Sequence, residues 1–210
     1  MDHDTHKDRR PASETWLQTA AGDAFDLLAP SARKILLADI AQSLSRLARF
    51  NGYTTRMWSV AAHSMLVSRI VYPDDPETRL YALLHDAPEA YMGDLTSPMK
   101  AAVAAIDPRF AGAWSVIEHA IAQQIHIAFG LDPDMPAETA AVVKLADLQA
   151  LELERRWFFA DPPPRPWRVG GQPLPEPPDV PCPPERAPSI EAGLFIEAAQ
   201  RLVNQRHGLA

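Results

Sequence analysis

Twelve prolines fall between residues 161 and 188, and they set the layout of the chain before any other pattern does. Proline lacks the backbone N–H that helix interiors and central strands require, so this stretch is expected to run extended across a surface. The body must be built from what precedes it. The residues after it, from Ser189 to about His207 with Gly208 as a stop, are expected to form a last helix that docks back on the body. The proline-rich segment itself reads either as a passive connector or as a lid or oligomer contact.

The preceding chain is punctuated by helix starts. Asp75-Pro76, Ser97-Pro98 and Asp107-Pro108 each place a side-chain cap before a proline at the first helical position. Asp39 is expected to cap a helix carrying Ile40, Leu44 and Leu47 and ending near Asn51-Gly52. A helix over about 57–71 places Val60, Met65, Val67 and Ile70 around His63, and one over about 136–159 carries Val142, Leu145, Leu148 and Leu153. Leu80, Leu83 and Leu84 form the buried stripe after Asp75-Pro76, and Gly130 stops the long helix that Asp107 begins. Only residues 16–28, two short semi-apolar runs around Ala-Gly-Asp, suggest a small β-hairpin. The expected architecture is one all-α domain over residues 1–210, with a charged tail at 1–13.

Charge narrows the partners. A net charge of −7, with no broad basic face, argues against a duplex nucleic-acid binder. An anionic ligand would have to be met locally, by a metal or a few arginines. No apolar run approaches the roughly 18 residues of a membrane span, and the single cysteine, Cys182, points to a reducing compartment. A cytoplasmic location without membrane partners is expected.

The chemistry concentrates in His63, the pair His85-Asp86, and Asp147. Imidazole plus carboxylate suits a divalent transition metal and fits calcium poorly. Neighbouring helical residues diverge by about 100°, so His85 and Asp86 reach one ion only if it lies between their helix and the helices bearing His63 and Asp147. Pro88 sharpens this, because it cannot donate to the carbonyl of Leu84 and must break the helix just after the pair. A new short helix is expected at Pro88, with Glu89 in its first turn beside the ion. Singly, each residue has an ordinary reading: a hydrogen-bonded core histidine at His63, or a surface pair between Lys144 and Asp147. Together these readings fare worse, since the acids sit among Ala82, Leu83, Leu84, Val143, Leu145, Ala146 and Leu148, where unpaired carboxylates are costly. His119 and His126, seven apart on one helical face, raise a second-metal reading against ordinary helix histidines.

The pattern H…HD…D formed by His63, His85-Asp86 and Asp147 resembles the signature of the HD-domain metal-dependent phosphohydrolases. "HDAPEAYMGDLTSPMK" (85–100) is similar to the HD-x-x-E-x-x-x-x-D-x-x-x-P-x-K stretch of bacterial HD-type 5'-deoxynucleotidases, and "DIAQSLSRLARFNGYTTRMWSVAAHSMLVS" (39–68) to a segment of those enzymes and of viral HD-domain deoxynucleoside triphosphohydrolases. The resemblance covers roughly residues 14–160. It implies an HD-domain helical fold in which His63, His85, Asp86 and Asp147 bind one divalent ion (Co, Mn, Fe, Ni, Zn or Mg). Glu89 would handle protons, and Asp94 would contact a deoxyribose hydroxyl or support the site. The implied reaction is attack of a metal-activated water on phosphorus of a small nucleotide, a deoxynucleoside 5'-monophosphate first and a di- or triphosphate as the alternative. A basic-aromatic substrate clamp would fall on Arg49 and Phe50, although its register is not matched, and a homodimer is implied. Ala62 stands where those enzymes carry an acidic or amide side chain before the first histidine.

Phosphate-monoester hydrolysis needs charge neutralisation, a positioned nucleophile and a stabilised leaving group whatever the family. Arg46, Arg49, Arg56 and Lys144 are the candidates for the remaining phosphate charge, each with a solvated-surface reading beside it. Phe50, Tyr53 and Trp58 are candidates for stacking on a base, with a core reading for Trp58. Two readings from other classes stand beside the hydrolase: a module that senses a metal and nucleotide without turnover, and a di-iron oxygenase.

Overall fold

A computed structural model describes residues 14–209; the expected tail at 1–13 lies outside the described residues. The chain is all-α, with a small antiparallel hairpin near its start. Strands β1 (Trp16–Gln18) and β2 (Ala24–Asp26) pair with Leu17 opposite Phe25. The helices are α1 (Leu37–Leu44), α2 (Val60–Ile70), α3 (Pro76–Leu84), α4 (Glu89–Met92), α5 (Ser97–Ile106), α6 (Arg109–Ala128), α7 (Ala137–Phe158) and α8 (Pro188–Arg206). No helix among the described residues is long and apolar enough to cross a membrane.

α2 and α3 form the centre. They pack on each other, α7 covers both from one side, and α8 lies across α1, α2 and α3 from another. α8 docks because Glu191, Phe195, Ala199 and Leu202 recur at helical spacing and are all buried. Asp75 caps α3 as expected, its carboxylate accepting from the N–H groups of Glu77 and Thr78 at 3.1 and 2.9 Å. α2 starts three residues later than the periodicity indicated, because Ser59 is its cap and accepts from Ala62 N at 3.0 Å.

Two expectations around α1 are corrected. Asp39 is not a cap: it sits buried inside the first turn, and its Oδ1 accepts from Ala21 N at 2.8 Å, pinning the hairpin turn to the helix. The helix also stops at Leu44, well short of Asn51-Gly52. Ser45 Oγ and Arg46 Nη1 both bond back to the carbonyl of Gln42, at 3.0 and 3.1 Å, and satisfy its last turn from outside. On α7 the buried stripe is Val143, Ala146, Ala150 and Leu153, which leaves Leu145 about half exposed rather than in the core.

The proline-rich segment has no helix, but it is not uniformly extended. It contains a two-residue hairpin, β3 (Arg168–Val169) with β4 (Gln172–Pro173), turned by Gly170 and Gly171 at positive φ. Further on it is strapped to the body. Glu176 binds Arg156 at 2.9 and 3.0 Å and accepts from Gln149 through its backbone carbonyl at 3.0 Å, and Val180 packs against the core.

Phe195 is fully buried where α8 meets the body. Phe195→Ala is expected to lower unfolding stability by about 3–5 kcal/mol, measured by urea denaturation. A loss within about 1 kcal/mol of zero would mean that α8 is not integral to the domain.

Candidate metal centre

α3 ends at Leu84, and the chain continues through tight turns in which Ala87 N bonds Leu84 O and Glu89 N bonds Asp86 O, at 2.9 and 3.0 Å. The break falls at the expected place, and Pro88 precedes α4 with Glu89 in its first turn. His85 and Asp86 therefore project from the end of α3, facing His63 in the middle of α2 and Asp147 on α7.

His63, His85 and Asp86 form one compact group, with a ligand atom from each lying within 4.8 Å of the others. This group could hold a metal ion. Asp147 stands at its edge, Oδ1 at 3.3 Å from His63 Nε2 and 4.0 Å from His85 Nε2, while its Oδ2 takes Lys144 Nζ at 2.7 Å. Asp86 Oδ2 lies 3.5 Å from His63 Nε2 and 3.2 Å from His85 Nε2.

The donor set fits a metal on the pairing of the two rings. His63 Nδ1 is 2.6 Å from Glu154 Oε1, and His85 Nδ1 is 2.8 Å from the carbonyl of Ala82. With each Nδ1–H donating to an acceptor, each Nε2 presents a lone pair. Both Nε2 atoms are buried and without a hydrogen-bond partner, an arrangement costly in an ordinary core and suited to a borderline metal.

Without an ion, the surrounding carboxylates favour a proton on His63, a positive charge that a metal would replace. Burial alone would lower the His63 pKa, and so would Arg49, but Glu154 and Asp147 outweigh both and raise it to about 9. Burial opposes ionisation of Asp86 and Asp147, yet their contacts with the imidazoles, His85 first for Asp86 and the hydrogen bond with His63 first for Asp147, hold both well below the usual carboxylate range. The site thus calls for positive charge at its centre. Glu89 behaves in the opposite way: burial, reinforced by Asp86 and Asp94, pushes its carboxyl up to about 9. Its Oε2 has no hydrogen-bond partner. Burial also raises Asp94, which follows Gly93, the residue at φ +79° that turns the chain out of α4.

The candidate cations separate clearly. Arg49 enters the site, Nη1 lying 3.7 Å from Asp86 Oδ2 and Nη2 donating to Glu154 Oε2 at 3.1 Å. It is carried there by a turn in which Phe50 and Asn51 adopt φ of +55° and +52°, an unusual conformation for phenylalanine. Lys144 is exposed and tied to Asp147. Arg46 is exposed and lines a separate cavity of about 230 Å³ between the hairpin, α1 and α4, together with Asp39 and Tyr91. Arg56 turns away from the centre: it donates to the carbonyl of Pro183, lies 2.9 Å from Cys182 Sγ, and stacks over Phe158 at 5.0 Å. It holds the proline-rich strap, a role with no sequence signal of its own.

Phe50 joins an aromatic cluster, 5.2 Å from Phe159 and 5.9 Å from Trp167, ring centre to ring centre. Tyr53 is exposed and Trp58 is core. Neither His119 nor His126 belongs to the metal group: His119 is exposed beside Asp134, and His126 is buried with Nδ1 on the carbonyl of Pro133 at 2.9 Å. One residue of the site escaped the sequence reading altogether. Glu154, fully buried, binds His63, Arg49 and, at 2.7 Å, Trp58 Nε1. Its signal was the spacing, seven residues after Asp147 and so on the same face of α7.

Two relatives place the chain in a family. It is 36% identical over 145 residues to the uncharacterized protein RCAP_rcc00048 of Rhodobacter capsulatus, covering 66% of this chain and 70% of that one. It is 34% identical over 142 residues to the uncharacterized protein YfdR of Escherichia coli strain K12, covering 68% and 71%. The chain belongs to the family of these two proteins. No family model matches it. The chemistry of this family member is therefore read from the site itself.

Substituting His63 or Asp86 by Ala is expected to abolish stoichiometric Co²⁺ binding, whereas His119→Ala leaves it intact, measured by titration calorimetry and metal content after dialysis. Loss of a second equivalent of metal in the His119 variant would instead establish a binuclear centre.

Proposed function

We propose that this protein is a metal-dependent phosphohydrolase of the HD-domain type that removes phosphate from small nucleotides, with deoxynucleoside 5'-monophosphates as its first expected substrates. The observation that carries this reading is the pair of buried, unpartnered Nε2 atoms of His63 and His85 facing Asp86 and Asp147, with Arg49 beside them. His63, His85, Asp86 and Asp147 would hold one divalent ion. Such an ion would supply the charge that neutralises phosphoryl oxygens and would acidify the attacking water.

The remaining work falls to the chain's own groups. Arg49 is fixed at the rim of the cluster by Glu154 and is the best-placed cation for a phosphate oxygen. Glu89, partly buried at the site with Oε2 unpartnered, is suited to handle a proton there, orienting the attacking water or protonating the departing sugar oxygen. Asp94, partly buried near Asp86 and Arg49, is the group proposed to meet the sugar hydroxyl. Phe50, next to Arg49, offers a ring to a base. Lys144 has its charge already on Asp147 and would tune that carboxylate. Arg46 and Arg56 are assigned no part in the reaction. A homodimer remains part of the proposal only by resemblance.

The test is a phosphate-release screen over deoxy- and ribonucleoside mono-, di- and triphosphates with Mn²⁺, Co²⁺, Mg²⁺ and Zn²⁺ in turn. Hydrolysis of no nucleotide with any of these metals would remove the enzymatic reading and leave a sensing module. Against the best substrate, Glu89→Gln is expected to lower kcat by about 10²–10⁴-fold with bound metal unchanged. Full activity in that variant would take the proton-transfer role from Glu89.

A further inference from the structure

We propose that Glu154 is a positioning residue whose single buried carboxylate orients both the His63 imidazole and the Arg49 guanidinium; this rests on the metal-centre reading above. Its Oε1 accepts from His63 Nδ1 at 2.6 Å and from Trp58 Nε1 at 2.7 Å, and its Oε2 accepts from Arg49 Nη2 at 3.1 Å. The residue has no exposed surface.

A carboxylate at such a place needs a reason. Replacing buried charged groups by well-packed apolar ones is often neutral or stabilising, so burial of an acid on α7 is poorly explained by stability alone. What the carboxylate does supply is direction. By holding a proton on His63 Nδ1 it turns the Nε2 lone pair toward Asp86 and Asp147, and it fixes the ring plane as carboxylates behind ligand histidines do. Through its other oxygen it holds Arg49 so that Nη1 lies 3.7 Å from Asp86. One side chain therefore sets the spacing between a ligand imidazole and the cation that would meet phosphate. Trp58, wedged against Trp157 and Phe158, keeps the carboxylate itself from rotating.

The experiment compares the purified full-length wild type and Glu154→Gln by Co²⁺ titration calorimetry without substrate, with thermal unfolding recorded in parallel. The amide keeps the size of the side chain but has one neutral acceptor oxygen in place of two charged ones, so its NH₂ must face a donor, either Arg49 or the His63–Trp58 pair. The expected result is a folded variant whose Kd for Co²⁺ rises about 10- to 100-fold. A folded variant within twofold of wild type overturns the proposal. If the wild type itself binds no Co²⁺, the metal-centre reading fails first, which is a separate outcome. Should the variant not fold, the wild type decides: with ¹⁵N-labelled histidine and Zn²⁺, NMR is expected to show a downfield, slowly exchanging Nδ1 proton on His63. Absence of that proton, or coordination through Nδ1, overturns the proposal.

Discussion

A carboxylate with none of its surface in water is tolerated only when donors and opposite charge surround it, and Glu154 is such a group at the heart of this fold. The network is drawn from three places: Arg49 from the turn after α1, Trp58 just ahead of α2 with His63 inside it, and Glu154 itself on α7. Glu154 lies at least 91 residues along the chain from the other three. The network closes only when the loop over residues 49–58 is folded back on itself, which the bonds from Arg49 N to Trp58 O and from Val60 N to Leu47 O accomplish at 2.9 and 3.0 Å. The same bonds that close this loop thus place three of the four members of the network.

The second organising element is the interruption at Pro88. A continuous helix through residues 76–92 would send His85 and Asp86 in directions about 100° apart along one rod. Ending α3 at Leu84 frees the pair to converge with His63, and restarting the chain as α4 returns Glu89 to the same neighbourhood. α4 is held in turn by α1, where Ser43 Oγ donates to the carbonyl of Ala90 at 3.0 Å, and by the hairpin, where Phe25 stacks on Tyr91 at 4.0 Å. The small N-terminal hairpin therefore touches α4, the helix that Glu89 begins, through the Phe25–Tyr91 stack.

Much of this was legible in the sequence because it is local. Caps such as Asp75, the break at Pro88, the stop at Gly130 and the hairpin around Ala-Gly-Asp each depend on a few adjacent residues. The candidate cluster of His63, His85 and Asp86 was legible because histidine and aspartate among apolar neighbours need a shared partner. What was not legible depends on pairing at a distance. Asp39 has the form of a cap but serves Ala21 N, eighteen residues away, Leu145 fits an apolar period that α7 instead places on Val143 and Ala146, and Glu154 has no local feature that separates it from any glutamate on a long helix. The β3–β4 hairpin was hidden because proline content describes what a segment cannot do, not where glycine lets it turn.

Three arginines, Arg46, Arg49 and Arg56, are equivalent by composition and lie within eleven residues of one another, yet only Arg49 reaches the cluster. The difference lies in the backbone. α1 ends at Leu44, so Arg46 is left on its outer end with only Gln42 to bind. Arg56 lies on the return limb, where its guanidinium meets Phe158, Cys182 and the Pro183 carbonyl. Between them, Phe50 and Asn51 occupy the left-handed region, which costs of order 1–3 kcal/mol for a residue such as phenylalanine. That strain is sustained because it turns Arg49 inward to two carboxylates and leaves the Phe50 ring against Phe159 and Trp167. Because Arg49 and Phe50 are adjacent in this turn, the placement of the cation is tied to the placement of the aromatic ring beside it, with the Arg49 guanidinium 5.1 Å from the Phe50 ring centre.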